Sequence, residues 1–172
     1  AGRIDTGPLG TAGEIGQFHI TTPDPASPRA SWLERHASRA AIAHAVARDE
    51  LGEFADNADV EQHARSITAS VLASRYASGH PSTVAQADSA ADMLATAIAS
   101  VCTVLGVPHV VLGGGLAEHM PDAGVDRITS CTKALAHPPA RAAAFTLSRT
   151  ALCPRAGLTG AALLAIELAE TV

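Results

Sequence analysis

The feature that most constrains this chain is a long apolar helix pattern followed directly by a short strand pattern. The spacing predicts a helix over 84–105, with Gly106 as its C-cap. The face that repeats at helical spacing is predicted to be buried, and it carries Leu94, Ile98, Val101 and Leu105. The β-branched run over 109–112 ends in three glycines and is typical of a buried strand. Together these patterns predict a helix-rich α/β fold.

The hydrophobic residues available for a core are mostly small. They make up 47% of the 172 residues, whereas aromatic residues make up only 3%. The core must therefore be built from Ala, Val, Leu and Ile, which favours closely packed helices. The length suits one compact domain or one large lobe of a two-lobed protein.

Two capping-box patterns predict further helices. Ser31 and Glu34 have the capping-box spacing at the start of a helix over 32–51. Asp59 and Gln62 repeat that spacing before a second helix. The apolar stripe of this second helix comprises Ile67, Val71, Leu72 and Tyr76.

The second half of the chain carries more helix signals. Gly79 and Pro81 end the second capped helix. A further helix pattern over 125–135 has its apolar positions at Val125, Ile128, Thr132 and Leu135. A glycine-rich start at 156–162 opens an apolar C-terminal helix.

Short strands and one loop complete the expected organisation. We expect short strands at 3–5, 17–21 and 144–147, besides the one over 109–112. The segment 23–30 is rich in proline, and residues before proline favour extended conformations, so no helix is expected there.

Charge and hydropathy exclude several classes of function. The formal net charge is −5 and the positive residues are scattered, so this segment is not expected to bind nucleic acid. No uninterrupted apolar stretch approaches the roughly 20 residues of a membrane span. The N-terminus lacks a signal-peptide pattern. We therefore expect a cytoplasmic protein with no membrane partner.

The cysteine pattern argues against disulfides and against a cysteine-based zinc site. Cys102, Cys131 and Cys153 are odd in number, and no two are spaced as a C-x-x-C pair. Small, buried or half-buried thiols are the expected interpretation.

Three segments could carry chemistry. In the first, Glu14 is fixed between Gly13 and Gly16. A carboxylate held in this way can accept hydrogen bonds from two sugar hydroxyls at once. A surface glutamate in a turn gives the same local pattern.

The second segment is the glycine run Gly113, Gly114 and Gly115 after the predicted strand. Glycines at this position allow backbone N–H groups to approach a phosphate or a ribose. The run matches neither a dinucleotide-binding fingerprint nor a P-loop, and a tight strand-to-helix turn is the alternative interpretation.

The third segment, over 156–162, is a helix start with small side chains. Small side chains allow another helix or a ligand to approach closely, and packing within the core is the alternative interpretation.

Taken in order, these segments resemble the signature of the ROK family (repressor, ORF, kinase). The matching segments are Gly2-Arg3-Ile4, Gly7, Gly10, Ala12-Gly13-Glu14-Ile15-Gly16, Trp32-Leu33-Glu34, Val110-Val111-Leu112-Gly113-Gly114-Gly115 and Ala156-Gly157-Leu158-Thr159-Gly160-Ala161-Ala162. They correspond in turn to the family's G-x-L, G, G, A-G-E-I-G, C-L-E, I-V-L-G-G-G and A-G-L-x-G-A-A. The resemblance covers nearly the whole chain without rearrangement.

The resemblance implies an actin-like, ribonuclease-H-like fold, in which two lobes enclose a cleft for ATP with Mg²⁺ and a hexose-type sugar. Residues 1–172 would form one domain equivalent to the C-terminal, glucokinase-like lobe, with the N-terminal lobe absent. Glu14, with Gly13 and Gln17, would bind the sugar. The run Gly113, Gly114 and Gly115 would lie against the nucleotide.

Three departures from the family pattern are present, and the first two concern zinc. The family histidine that helps bind a structural zinc is replaced by Gln17, and the family's cysteine cluster is missing where 23–31 lies. His19 shares a strand face with Gln17 at i and i+2, which leaves a substitute role conceivable. We expect no zinc, because zinc needs four ligands at fixed geometry.

The other histidines show no ligand spacing and are expected to be solvated or structural; they are His36, His44, His63, His80, His109, His119 and His137. The family's phosphate-binding D-x-G-G-T motif and its catalytic aspartate are also absent, so no catalytic residue is assigned here.

Besides a pseudo-kinase whose lost zinc site marks relaxed function, two functions remain open at this point. The first is the sugar- and nucleotide-binding lobe of an ATP-dependent sugar kinase, inactive on its own. The second is the sugar-sensing, non-catalytic domain of a ROK-type transcriptional repressor. The resemblance also implies a homodimer in either case.

Overall fold

The structure is a computed structural model that describes residues 7–152 and 155–169. Within these ranges it holds nine α-helices and one two-stranded sheet. The helices are α1 (Glu34–Ala37), α2 (Arg39–Leu51), α3 (Asn57–Ser66), α4 (Ala69–Ala77), α5 (Pro81–Leu105), α6 (Gly115–His119), α7 (Asp122–Leu135), α8 (Pro139–Ala144) and α9 (Ala156–Ala169). The strands are β1 (His109–Leu112) and β2 (Thr146–Arg149). The strand predicted over 3–5 and Cys153 lie outside the described residues.

Helix α5 is the centre of the fold, because α1, α2, α4 and α7 all pack against it. Its N-terminal half closes a first core with α2, α3 and α4, where small side chains such as Ala90 allow the helices to approach closely. The buried residues of this core are Ile42, Ala43, Val46, Ala47, Val60, Ala64, Ile67, Leu72 and Ala90.

The C-terminal half of α5 contributes to a second core with α7 and the sheet. The buried residues there are Ala95, Ile98, Cys102, Ile128 and Phe145. Because α5 runs through both cores, the two are joined by a continuous helix.

The sheet pairs β1 with β2 in parallel, from His109 opposite Thr146 to Leu112 opposite Arg149. The chain between them crosses over through α6, α7 and α8, as a parallel connection requires. The pair is extended at its carboxyl end by a hydrogen bond from the Thr150 amide to the Leu112 carbonyl, 2.8 Å long.

The predicted helix over 84–105 is confirmed, although it begins earlier, at Pro81. Gly106 ends it with φ +70°, a left-handed conformation that favours glycine. The stripe is confirmed only in part, because Ile98 is buried whereas Leu105, in the last turn, is 66% exposed.

Helix α5 is apolar overall but is interrupted by Asp88 and Asp92, so it does not contradict the expectation about uninterrupted apolar stretches. It is long and apolar enough to cross a membrane by length and composition alone. Its contacts with four other helices are those of a core helix. Asp88 and Asp92, on the same helix, are paired with Arg127.

The prediction of a single helix over 32–51 is wrong, because the structure has two helices there. The chain breaks at Ser38, which is extended, and the helices α1 and α2 lie on either side of it. Ser38 is the cap, since its side chain accepts a hydrogen bond from the Ala41 amide. Ser31 is buried and donates its hydroxyl to the Pro28 carbonyl instead, 2.9 Å away.

The helix predicted after Asp59 and Gln62 is likewise two helices. Asp56 caps α3 and Thr68 caps α4, each accepting a hydrogen bond from a backbone amide. Ile67 lies at the junction of the two helices and is completely buried in the first core.

The strand predicted over 17–21 is wrong. A short 3₁₀ helix, Ile15–Gln17, lies there, followed by a single antiparallel bridge between His19 and Trp32. The backbone there is bonded partly locally, as from the Phe18 amide to the Ile15 carbonyl. Around the bridge, the Ile20 amide donates to the Ser31 carbonyl and the Phe18 carbonyl accepts from the Leu33 amide.

The remaining predicted elements differ less from the structure. A second 3₁₀ helix, Pro28–Ser31, corrects the expectation that 23–30 holds no helix, since proline suits the first helical position. The helix predicted over 125–135 and the C-terminal helix are confirmed as α7 and α9. The last predicted strand is shifted by two residues, to β2.

Candidate functional site

Glu14 lies on an exposed loop that glycines hold in place. Gly13 has φ +94°, a conformation that a residue with a side chain rarely adopts. A Cβ on Gly16 would lie 3.4 Å from the Cβ of Glu34, so the loop packs closely on α1. The two glycines that flank Glu14 therefore fix the backbone that presents its carboxylate.

The Glu14 loop and the C-terminal half of α5 form a groove of about 560 Å³, which we call the Glu14 groove. Its walls are mostly apolar, and they are formed by Thr11, Gly13, Glu14, Ile15, Phe18, Ser100, Val101, Val104 and Leu105. A carboxylate beside an apolar wall suits a ligand that has both hydroxyl groups and apolar faces.

Gln17, the third predicted sugar residue, ends the first 3₁₀ helix and is exposed. It is not part of the wall of the Glu14 groove as described. The structure therefore brings Gly13 and Glu14 to the groove, with Gln17 beside it in the chain.

The glycine run lies where the sequence predicts it, at the carboxyl end of β1. Gly114 has φ +95° and ψ 160°, a combination that is essentially restricted to glycine. Gly113 and Gly115 flank it, and all three are exposed. Ligands of parallel sheets bind outside the carboxyl ends of the strands, which is where this turn lies.

A largely apolar cavity of about 220 Å³ opens beside Gly113, and we call it the Gly113 cavity. Helices α5, α6 and α7 form most of its wall, with Tyr76 from α4. Its lining includes Ala91, Leu94, Leu112, Gly113, Leu116, Met120, Gly124, Val125 and Ile128. A Cβ on Gly124 would lie 2.7 Å from Met120 Cγ, so this glycine is required for the cavity wall to pack as it does.

A polar network supports that wall. Arg127 donates two hydrogen bonds to Asp92, of 2.8 and 2.7 Å, and contacts Asp88 at 3.1 Å. The Tyr76 hydroxyl donates to Asp88 at 2.8 Å, and the Cys131 thiol donates to Asp92 at 3.2 Å. The network thus ties α4, α5 and α7 together.

The network shifts the pKa of its members. Burial and the hydrogen bond to Asp88 raise the pKa of Tyr76 to about 12. The hydrogen bond from Arg127 lowers the pKa of Asp92, and the bond to Asp92 raises the pKa of the Cys131 thiol. Tyr76 is therefore neutral and Asp92 ionised at neutral pH.

Sequence reasoning missed this network. The signal was the spacing of Asp88 and Asp92, which are four residues apart and so share a helix face. Their partner Arg127 is 35 positions beyond Asp92, and no pattern in one sequence links residues so far apart.

A second cluster surrounds Glu50. His63 Nε2 lies 2.6 Å from one carboxylate oxygen, and Arg75 Nη1 lies 2.7 Å from the other. His80 Nε2 is 3.5 Å from that second oxygen. These contacts join α2, α3 and α4 to the start of α5, so His63 and His80 have structural partners. Among the described residues, no three His, Cys, Asp or Glu side chains converge as a metal site.

The Glu14 groove and the Gly113 cavity share no lining residue. The former lies against the C-terminal half of α5, and the latter lies at the carboxyl end of β1. The predicted sugar and nucleotide residues therefore occupy two separate surfaces.

Comparison with known structures shows the fold. The chain is similar to the ROK hexokinase from Thermus thermophilus, with a TM-score of 0.69 and 23% sequence identity. The match covers 97% of this chain and 52% of that one, so the chain spans about half the length of this relative. The fold is therefore the actin-like one of that neighbour.

Sequence comparison shows the family. A search of curated protein sequences gave no match. The model of the ROK family matches residues 1–168, which is nearly the entire chain. On that match, this chain belongs to the ROK family.

Proposed function

We propose that this chain is the sugar- and nucleotide-binding lobe of an ATP-dependent sugar kinase, which transfers a phosphoryl group to a hexose hydroxyl. The observation that carries the proposal is the position of the glycine run. Gly113, Gly114 and Gly115 follow a parallel strand and lie beside an apolar cavity, an arrangement suited to a nucleotide. Family membership supports the same function.

On the nucleotide side, ATP with Mg²⁺ lies against the glycine run. The exposed turn at Gly114 lets the nucleotide approach the backbone without meeting a side chain. The Gly113 cavity, at about 220 Å³, is smaller than the roughly 300–1,000 Å³ of whole-ligand pockets. It therefore has room for only the flat adenine ring of the nucleotide.

On the sugar side, Glu14 accepts hydrogen bonds from hydroxyl groups of the hexose. Charge-assisted bonds of this kind are roughly twice as strong as neutral ones. Gly13 holds the loop, and Gln17, three residues after Glu14 and exposed, is proposed to bind a further hydroxyl.

We assign no catalytic residue to this chain. Phosphoryl transfer depends on positioning and on stabilising charge around the transferred group. In this proposal the catalytic base and the remaining phosphate contacts come from the half of the fold that the chain does not span. The whole protein is proposed to be a cytoplasmic homodimer that needs no zinc and binds neither membrane nor nucleic acid through this segment.

Calorimetry on the purified chain tests the two sites separately. Titration with MgADP and with a panel of hexoses measures the dissociation constant, Kd, of each ligand. Gly114→Ala is expected to weaken MgADP binding at least tenfold, because a Cβ is strained at this φ. Gly52→Ala is the matched control, since Gly52 has φ +85° and open space around it but lies at the end of α2.

Glu14→Gln is expected to weaken hexose binding, with the exposed Glu53→Gln as its control. If MgADP does not bind but a hexose does, the kinase proposal fails and the sugar-sensing repressor domain replaces it. If no hexose binds, the assignment of Glu14 fails.

A further inference from the structure

Arg149, the last residue of β2, reaches from the sheet to the junction of α6 and α7. Its Nη1 donates a hydrogen bond to Asp122 Oδ1 at 2.7 Å, and its Nη2 donates to the Met120 carbonyl. A guanidinium presents its donors in a rigid fork, so two such contacts fix both partners relative to the strand. Arg149 thus ties the end of β2 to the end of α6.

Helix α6 depends on support of this kind. It has only five residues, and so short a helix is not stable through its own hydrogen bonds. Its first residue, Gly115, directly follows the exposed turn at Gly114, and its middle packs against the first core through Leu116. Met120 is its C-cap. The contact with Arg149 therefore adds a polar attachment at the end of α6 opposite the glycine run.

The two contacts of Arg149 differ in weight. The side chain of Asp122 is 88% exposed, and an exposed ion pair contributes little because water screens it. The Met120 carbonyl lies in a better shielded place, since Met120 is half-buried and the Arg149 side chain is 29% exposed. A shielded carbonyl that loses its donor is costly. Met120 is therefore the partner through which Arg149 acts.

Arg149 lies behind the wall of the Gly113 cavity. Its register partner on β1 is Leu112, and Leu112 and Met120 both line the cavity, whereas Arg149 is outside the lining as described. Met120 also packs closely on Gly124, where a Cβ would lie 2.7 Å from Met120 Cγ. A shift of Met120 would therefore change the wall that α7 forms. Loss of the guanidinium would loosen the wall without removing a lining side chain.

We propose that Arg149 is a positioning residue for the nucleotide. By holding the Met120 carbonyl, it keeps the end of α6 and the adjoining part of α7 in the arrangement that accepts the base. Its own donors go to Met120 and Asp122. The inference rests on the proposed function for the identity of the ligand, whereas the effect of Arg149 on Met120 is measurable without a ligand.

The first measurement is the Kd of MgADP for the purified chain and its variants, by calorimetry. Arg149→Leu keeps an apolar stem but removes the donors, and it is expected to weaken binding at least about tenfold. Arg149→Lys offers one point charge in place of the fork, and it is expected to lie between the two, at least about threefold weaker than the parent. Asp122→Asn is expected to stay within about twofold, because Asp122 is exposed.

Arg141→Leu is the matched control, since it also removes an arginine that bonds the end of a helix. Arg141 Nη1 donates to the carbonyls of Cys102 and Thr103, at 2.8 and 3.0 Å, near the end of α5. Neither residue lines the Gly113 cavity as described. Arg141→Leu is expected to lower stability in urea unfolding but to leave the Kd of MgADP within about twofold of the parent.

The second measurement follows Met120 without a ligand. The chain has two methionines, Met93 and Met120, so ¹³C labelling of their methyl groups gives two NMR signals, which Met120→Leu assigns. Met93 lies on α5, outside the lining of the Gly113 cavity as described. In Arg149→Leu, the Met120 signal is expected to move or broaden while the Met93 signal keeps its position. A general loss of stability would not single out Met120.

Three results would contradict the proposal: parent-like MgADP affinity in Arg149→Leu, equal losses of affinity in Arg149→Leu and Arg141→Leu, or an unchanged Met120 signal. If the parent itself does not bind MgADP, the nucleotide site fails and the role of Arg149 fails with it. If the parent binds and Arg149→Leu binds as well, only the role of Arg149 fails. Should Arg149→Leu show no cooperative unfolding, Arg149→Lys decides, and parent-like MgADP affinity in that variant overturns the proposal.

Discussion

At the scale of single residues, Tyr76 shows how this chain uses its few aromatic side chains. It is the only tyrosine, and it lines the Gly113 cavity while its hydroxyl bonds to Asp88. One side chain thus contributes an apolar surface to the cavity and a polar contact to α5. Because the phenol is the donor, losing its proton would place two negative charges side by side.

The titration of Tyr76 gives a prediction about pH. The pKa of Tyr76 is about 12 in the folded chain and about 10 in the unfolded chain. The folded state therefore holds the proton more tightly, and this contribution to stability is complete below pH 10 and lost as the pH rises through 12. The absorbance of tyrosinate reads the pKa directly, since there is one tyrosine.

Urea unfolding completes this measurement. The parent chain is expected to lose more stability than Tyr76→Phe between pH 10 and pH 12. A native pKa near 10, or parallel losses in both proteins, would contradict the burial of the phenol.

Gly124 gives a second prediction at this scale. Gly124→Ala is expected to displace Met120, because the new Cβ would lie 2.7 Å from its Cγ. Overpacking of this kind costs about 1–3 kcal/mol, against a gain of up to about 1 kcal/mol in helix propensity. The net effect is a lower free energy of unfolding and weaker MgADP binding. Gly160→Ala, with open space around it in α9, is expected to keep both values or to raise stability.

At the scale of elements, the caps decide where helices begin. Ser38→Ala is expected to lower the free energy of unfolding by about 1 kcal/mol, because Ser38 caps α2. Ser100→Ala is the control: Ser100 is exposed within α5 and only bonds back to Thr96. Equal losses in urea unfolding of the two variants would show that Ser38 does not act as a cap.

The helix boundaries show which parts of the fold could be predicted from the sequence. Helix α5 was predictable because its apolar spacing and Gly106 are local signals. The break at Ser38 was not, since Ser31 offers an equally good capping pattern in one dimension. Ser31 is used elsewhere: it is buried and its Oγ lies 2.5 Å from His19 Nδ1. Tertiary contact decided between two locally equivalent serines.

At the scale of the whole molecule, α5 couples two cores. Ala90 belongs to the first core, while Ala95 and Ile98, one to two turns on, belong to the second. A helix shared in this way makes separate unfolding of either core costly, because its own hydrogen bonds would break midway. The chain is therefore expected to unfold as one cooperative unit.

Substitutions in the two cores test this expectation. Leu72→Ala, in the first core, and Ile128→Ala, in the second, are each expected to cost about 2–5 kcal/mol. Calorimetry should show a single transition at a lower temperature in both variants. A second transition in either variant would show that α5 does not couple the cores.

The candidate site, like the fold, was predictable from the sequence only in part. The glycine run was predictable, since Gly114 needs a conformation that essentially only glycine adopts and the pattern is contiguous. The Gly113 cavity was not, because its wall joins Leu94, Met120 and residues of three helices that are distant in the chain. Only folding brings such residues together.

Trp32, the only tryptophan, is part of the bridge that holds the Glu14 loop. It pairs with His19, the next amide at Leu33 bonds to the Phe18 carbonyl, and the Arg29 guanidinium lies 5.3 Å from the centre of its ring. A movement of the loop on binding a sugar would therefore change the surroundings of the indole. The chain carries its own fluorescent reporter at the base of the Glu14 loop, and no dye has to be attached to use it.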